Sequence, residues 1–190
     1  VSVNLAIALA RKGVRVILVD GDLRNPKVHD VLNLPNKVGL TTALESQIDP
    51  RRVIDGILSK TRDGEAGLGV SEALISTDIE GLSVLTSGPE TENPVQLLES
   101  DRMHRLLKEL GNVADFVIFD TPPVNKVGDA LTIAGLVDGS IYVVGAGLCE
   151  QHDVAWADHL LAKVQANLLG VFLKRDAQGF GSSSYYYGYS

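Results

Sequence analysis

Cysteine, methionine and tryptophan each occur once in this 190-residue chain, and cationic side chains are outnumbered by anionic ones. The lone thiol, Cys149, excludes an internal disulfide framework and fits a reducing compartment. With no base pattern beside it, it reads as an ordinary core or surface thiol. His29, His104, His152 and His159 show no metal-ligand spacing with it. No arrangement of Ser, His and Asp suggests a hydrolase triad, and Trp156 reads as packing. No apolar stretch has the length of a membrane span and no secretory leader pattern is present, so this chain is not expected to cross a bilayer itself. A net charge of −7 argues against a domain built to grip nucleic acid. With 45% apolar and 22% charged residues, the chain has the composition of one globular domain large enough to bury a core.

Short apolar runs alternate with helical patterns. Val1 to Lys12 reads as a helix closed by Gly13, Val14 to Asp20 as a buried strand, and Asn25 to Asn36 as a loop with one helical turn. Gly39 to Glu45 and Pro50 to Ser59 read as short helices, with a charged, glycine-containing loop over Thr61 to Gly69. Ala73 to Ile75 and Leu82 to Leu85 read as short strands. Pro94 to Leu110 reads as one amphipathic helix, with Leu97, Leu98, Met103, Leu106, Leu107 and Leu110 on one broad apolar face. Phe116 to Phe119, Ser140 to Val144 and Leu169 to Leu173 read as strands, with helices over Val127 to Ala134 and Glu150 to Asn167. The alternation predicts an α/β fold, a mostly parallel sheet with helices on both faces. The expected boundaries are a domain over residues 1–177 and a Gly, Ser and Tyr tail over 178–190. Val1 falls inside a helical pattern with no cap or preceding strand, so the sequence reads as N-terminally truncated.

Three motifs carry chemistry. In the first, Val16-Ile17-Leu18-Val19 runs into Asp20-Gly21-Asp22-Leu23-Arg24. Open α/β sheets bind ligands at the C-terminal ends of parallel strands. Two carboxylates there suit Mg²⁺, which in such sites usually comes with a nucleotide phosphate. One of them could take a proton from an attacking hydroxyl. The same residues also suit a strand-end turn, with Asp20 capping the next segment and Arg24 as its salt partner. In the second, Val117-Ile118-Phe119 ends on Asp120-Thr121-Pro122-Pro123, the general form of a Walker B strand. The two prolines stop the strand abruptly. In the third, Tyr185, Tyr186, Tyr187 and Tyr189 crowd the last residues, where a packed core would not put them. Exposed tyrosines could reach the active site of another molecule. Each phosphate would add roughly −1.5 to −2 charges.

Together these motifs, with Gly39–Leu44 and the stretch from Ser87-Gly88-Pro89 to Met103, resemble the bacterial tyrosine kinases of capsule and exopolysaccharide systems. The resemblance covers nearly the whole chain and implies a P-loop NTPase-like fold whose Walker A loop and first strand would precede Val1. It implies ATP and Mg²⁺ as cofactors. Asp20 would be the base or a ligand of Mg²⁺-bound water, Asp22 and Asp120 the metal carboxylates, and all three catalytic. Arg24, Lys174 and Arg175 are expected on the nucleotide. Tyr185, Tyr186, Tyr187 and Tyr189 would be autophosphorylated in trans within a ring of copies. The implied partner is a membrane-spanning polysaccharide co-polymerase, fused or separate, which would hold the kinase at the cytoplasmic face of the membrane.

Two other readings compete. A partition or septum-site ATPase shares the Walker motifs but should lack a terminal tyrosine cluster. A kinase-like scaffold without catalysis would bind the membrane partner alone.

Overall fold

The computed structural model describes residues 1–46, 49, 51 and 73–175. The expected Thr61–Gly69 loop, the tyrosine tail and all of the expected Pro50–Ser59 helix except Arg51 lie outside the described residues.

The first sheet is built around β1 (Val16–Asp20), whose five residues are all buried. That is why the segment is a continuous apolar run rather than an alternating one. It pairs in parallel with β3 (Leu82–Leu85) on one side and β4 (Phe116–Asp120) on the other. The short β2 (Leu74–Ser76) adds antiparallel to β3, giving the order β2-β3-β1-β4. β5 (Ser140–Ala146) and β6 (Leu168–Arg175) form a separate parallel pair. The expected single sheet is therefore two sheets among the described residues, with no pairing between β4 and β5. The apolar side chains of Phe116, Ile141, Val143 and Phe172 are exposed.

Helices cover both faces of the larger sheet. On one face, Val16, Leu18 and Val84 pack with Ala6 and Ala10 of α1 (Ser2–Ala10) and Val28 of α2 (Val28–Leu32). On the other, Ile17, Val19 and Leu85 meet α3 (Leu40–Glu45), α4 (Pro94–Leu98), α5 (Asp101–Val113) and α6 (Asp129–Ala134). The last helix, α7 (Gln151–Lys163), lies between β5 and β6 in sequence and buries Ala157 and Leu161. No helix among the described residues is long and apolar enough to cross a membrane.

The single helix expected over Pro94 to Leu110 is two. Ser100 breaks it: its backbone is extended, its Oγ accepts from Met103 N at 3.2 Å, and the same hydroxyl donates to Leu97 O at 2.6 Å. An N-cap serine satisfies a donor of the new helix that the old one would have used. The apolar face survives the break, because Leu98, Met103, Leu106 and Leu110 are all buried on the α3–α6 side.

Candidate functional site

The C-terminal ends of β3, β1 and β4 form one edge, and all three motif carboxylates sit there. Asp20 and Asp120 are direct register partners on neighbouring strands, and adjacent strands lie about 4.8 Å apart. Asp20 is fully buried. Its Oδ2 accepts from Val28 N at 3.0 Å and Lys27 N at 3.2 Å, and its Oδ1 accepts from Asp22 N at 3.3 Å. Asp20 thus anchors the start of α2. Burial, with the nearby charges of Asp120 and Asp22, pushes its carboxyl up to about 6, against the pull of the Val28 and Asp22 N–H groups.

Asp22 is half-buried and folds its own loop. Its Oδ1 accepts from Arg24 N at 3.2 Å and Asn25 N at 2.9 Å, a side-chain-closed turn of the kind aspartate favours. The chain can turn here because Gly21 has no side chain. A Cβ would come within 2.8 Å of Ile133 Cδ1 and 3.0 Å of Asp120 O. Gly21 N donates to that same carbonyl at 2.8 Å. Asp120 is half-buried, and its Oδ1 accepts from Ser2 Oγ at 2.5 Å.

Among the described residues, no three His, Cys, Asp or Glu side chains form a ready-made metal cage. The hydrogen bonds above place donors on Oδ1 of Asp22 and of Asp120. With Oδ1 of each residue so engaged, two carboxylates offering one further oxygen apiece suit a hydrated Mg²⁺ that takes its remaining ligands from water and phosphate, better than an all-protein site.

Arg24 does not pair with Asp20. Its Nε donates to Asp129 Oδ2 at 2.7 Å and an Nη donates to Asp129 Oδ1 at 3.2 Å. Asp129 opens α6 and is fully buried. Lys174 and Arg175 belong to the other sheet, at the end of β6, in register with Gly145 and Ala146.

A second device flanks the edge. Gly39 and Gly88 touch backbone to backbone, and a Cβ on Gly39 would lie 2.3 Å from Gly88 N and from Thr86 O. Asn36 spans the junction, with Nδ2 donating to Gly88 O at 3.0 Å and Oδ1 accepting from Gly88 N at 2.8 Å. Leu40 N and Thr41 N donate to Thr86 O and Ser87 O, both at 2.8 Å. This junction fixes α3 to the segment leaving β3.

Sequence reasoning missed Ser2, Asp129 and Asn36. Asp129 carried a weak signal, an acid at a helix start nine residues after Asp120. Ser2 and Asn36 carried none, because their partners lie far away in the chain.

No protein-family model matches the chain. The tyrosine-protein kinase YwqD of Bacillus subtilis is 36% identical over 185 residues, which is 97% of this chain and 70% of YwqD. The tyrosine-protein kinase CpsD of Streptococcus pneumoniae serotype 4 is 32% identical over 175 residues, 92% of this chain and 68% of CpsD. This chain belongs to the bacterial tyrosine-protein kinases. Solved structures agree. The chimerical protein CapA2B2 superposes with a TM-score of 0.75 at 36% identity, over 90% of this chain and 67% of that one. The kinase domain of the Escherichia coli tyrosine kinase ETK gives 0.75 at 28% identity, over 99% and 66%. The cell-division ATPase MinD of Pyrococcus furiosus, at 0.67 and 22% identity, shares the fold alone. The fold is therefore P-loop NTPase-like, with the Asp20 and Asp120 strands at its core.

Proposed function

We propose that this chain is the catalytic part of an ATP-dependent protein-tyrosine autokinase acting in capsule or exopolysaccharide production. The observation that carries the reading is the juxtaposition of Asp20 and Asp120 at neighbouring strand ends, one of them a buried carboxyl held near 6. Asp120 and Asp22 supply oxygens to a hydrated Mg²⁺–ATP. Mg²⁺, when bound, offsets charge on the phosphoryl group being transferred. Asp20 accepts the proton of the attacking tyrosine hydroxyl. A carboxylate near 6 is a better base than one at its ordinary value, and it is still ionised at neutral pH.

Lys174 and Arg175, at the C-terminal end of β6, would contact the nucleotide, since open α/β sheets take ligands at that end of their strands. Arg24, with its guanidinium on Asp129, suits loop support better than phosphate contact. Tyr185, Tyr186, Tyr187 and Tyr189 are the proposed acceptors, phosphorylated between copies in a ring. A membrane-spanning co-polymerase would be the partner that places the kinase at the cytoplasmic face.

The experiment uses the full-length protein with ATP and Mg²⁺, read by phosphotyrosine detection and mass spectrometry. Label should appear on Tyr185–Tyr189, vanish in Asp20→Asn and fall stepwise as the tail tyrosines become Phe. An intact tail that stays unlabelled, in protein that binds Mg²⁺–ATP, would leave the scaffold reading.

A further inference from the structure

The Arg24–Asp129 pair joins the two loops that leave the acidic strand ends. Arg24 lies two residues after Asp22, in the very turn that Asp22 Oδ1 closes. Asp129 lies at the far end of the segment that follows Asp120 and opens α6. The exits of β1 and β4 are thus tied twice, once at the strand ends by Gly21 N on Asp120 O at 2.8 Å and once by the forked guanidinium on the Asp129 carboxylate. The second tie is the directional one. Two parallel N–H···O bonds fix the plane as well as the distance, which a lysine could not do.

Burial makes the tie expensive to break. The Asp129 side chain has no exposure, whereas Arg24 is 37% exposed. Removing the guanidinium would strand a charge inside the protein. A buried acid kept for fold stability alone would usually be better replaced by an apolar side chain. Here it holds a partly exposed arginine whose own backbone N–H helps close the Asp22 turn. What the arginine carries with it is the Asp22 turn.

We infer that Arg24 and Asp129 are positioning residues that set the placement of the Asp22 carboxylate relative to Asp120, and through it the affinity for the divalent cation that accompanies the nucleotide. The inference rests on the metal roles proposed above for Asp22 and Asp120. It assigns Arg24 to the carboxylates rather than to the phosphates.

The test is Mn²⁺ binding by electron paramagnetic resonance, using full-length protein saturated with a non-hydrolysable ATP analogue. It runs alongside analogue affinity at saturating metal and thermal unfolding. Arg24→Gln and Asp129→Asn should each weaken Mn²⁺ binding about tenfold, the low end of the range for lost direct partners of metal ligands, because Asp22 keeps its backbone partners Arg24 N and Asn25 N. Analogue affinity at saturating metal should move less than twofold. The double variant Arg24→Gln/Asp129→Asn should regain much of the thermal stability that Arg24→Gln loses, because no charge is then left buried, yet keep the weakened Mn²⁺ binding. Arg24→Lys should fall between wild type and Arg24→Gln.

Lower melting temperatures with unchanged Mn²⁺ binding would reduce the pair to a structural brace and overturn the inference. So would an Arg24→Gln variant that loses analogue affinity while Asp129→Asn does not, since Arg24 would then be a phosphate ligand. Wild-type protein that binds no Mn²⁺ with the analogue would overturn it as well. Wild-type protein that binds both but phosphorylates nothing strikes the kinase reading and leaves this inference standing.

Discussion

Ser2 Oγ donates to Asp120 Oδ1 at 2.5 Å, tying the first turn of α1 to the end of β4 across 118 residues of sequence. The bond is short and charge-assisted, the stronger class of protein hydrogen bond. It holds the Asp120 carboxylate in one orientation at the edge where Asp20 also ends. Ser2→Ala should cost about 1.5–3 kcal/mol of stability, the usual range for a bond to a charged group. It should also lower the affinity for Mg²⁺–nucleotide. Urea unfolding and nucleotide titration of the same preparation check both. Ser2→Thr, which keeps the hydroxyl, should recover most of each. Equal behaviour of Ser2→Ala and wild type would show that the hydroxyl is incidental.

The carboxyl of Asp20 predicts a pH dependence with a definite sign. Its folded-state value is about 6 against an ordinary 3.8, and burial is the first cause. The folded protein therefore holds that proton more tightly than the unfolded chain does. The contribution to stability is fully present below about pH 4, is lost as pH rises towards 6, and is absent above. A shift of about two units corresponds to roughly 3 kcal/mol. Asp20→Asn removes the titrating group, so wild type should lose about that much relative to the variant between pH 4 and 7 in paired urea melts. Kinase activity should run the opposite way, rising through pH 6 as the base ionises. A wild-type activity profile flat from pH 5 to 7.5 would exclude Asp20 as the base.

The strands and the two carboxylate motifs were legible because their signals are local. Val16–Asp20 and Phe116–Asp120 are apolar runs ending on acids; β1 is buried throughout, the usual form of a central parallel strand, whereas β4 is half-buried and exposed at Phe116. Given two such strands, the C-terminal edge follows from topology. The break at Ser100 was not read, because the apolar periodicity continues through it and an N-cap serine looks like any polar residue on the outer face. The separation into two sheets was not read either, since pairing partners are long-range. Arg24 shows the limit most clearly. Its position in the motif suggested a nearby partner in the same turn, and the partner is 105 residues away. Periodicity locates elements, while the side-chain ties that aim a site join distant parts of the chain.

Two glycines should respond to alanine with opposite signs. Gly39→Ala would drive a Cβ to 2.3 Å from Gly88 N and Thr86 O. Both obstacles are backbone, so no rotamer change relieves them. A loss of about 1–3 kcal/mol is expected, as for other overpacked sites. The Gly39 backbone is extended at φ −172, so the cost is contact and not backbone strain. Gly111 sits inside α5, and nothing lies within 4 Å of where an alanine methyl would stand. Gly111→Ala should add about 0.5–1 kcal/mol, the helix preference for alanine over glycine. Differential scanning calorimetry of both variants checks the pair. A neutral Gly39→Ala would mean that α3 does not dock on the segment after β3 as described.

At the opposite edge of the sheet, Arg15 and Asp115 form a clamp before β1 and β4. Arg15 Nη2 donates to Asp115 Oδ1 at 2.7 Å, and Arg15 N donates to Asp115 Oδ2 at 2.8 Å. Asp115 N returns a bond to Arg15 O at 2.9 Å. The Arg15 side chain, then its N–H, pull the Asp115 carboxyl down to about 2. A depressed carboxyl contributes stability above its ordinary value and loses it as pH falls towards 2. Asp115→Asn should therefore melt below wild type at pH 7, and the difference should close by pH 2. The pair lies open to solvent, so the ionic part should shrink in high salt. The bond from Arg15 N persists with any oxygen acceptor. Asp115→Ala, which removes the acceptor as well as the charge, should therefore melt below Asp115→Asn, and that gap should survive high salt. Identical melting of the Ala and Asn variants would show that the backbone bond contributes nothing and that the clamp is only a surface ion pair.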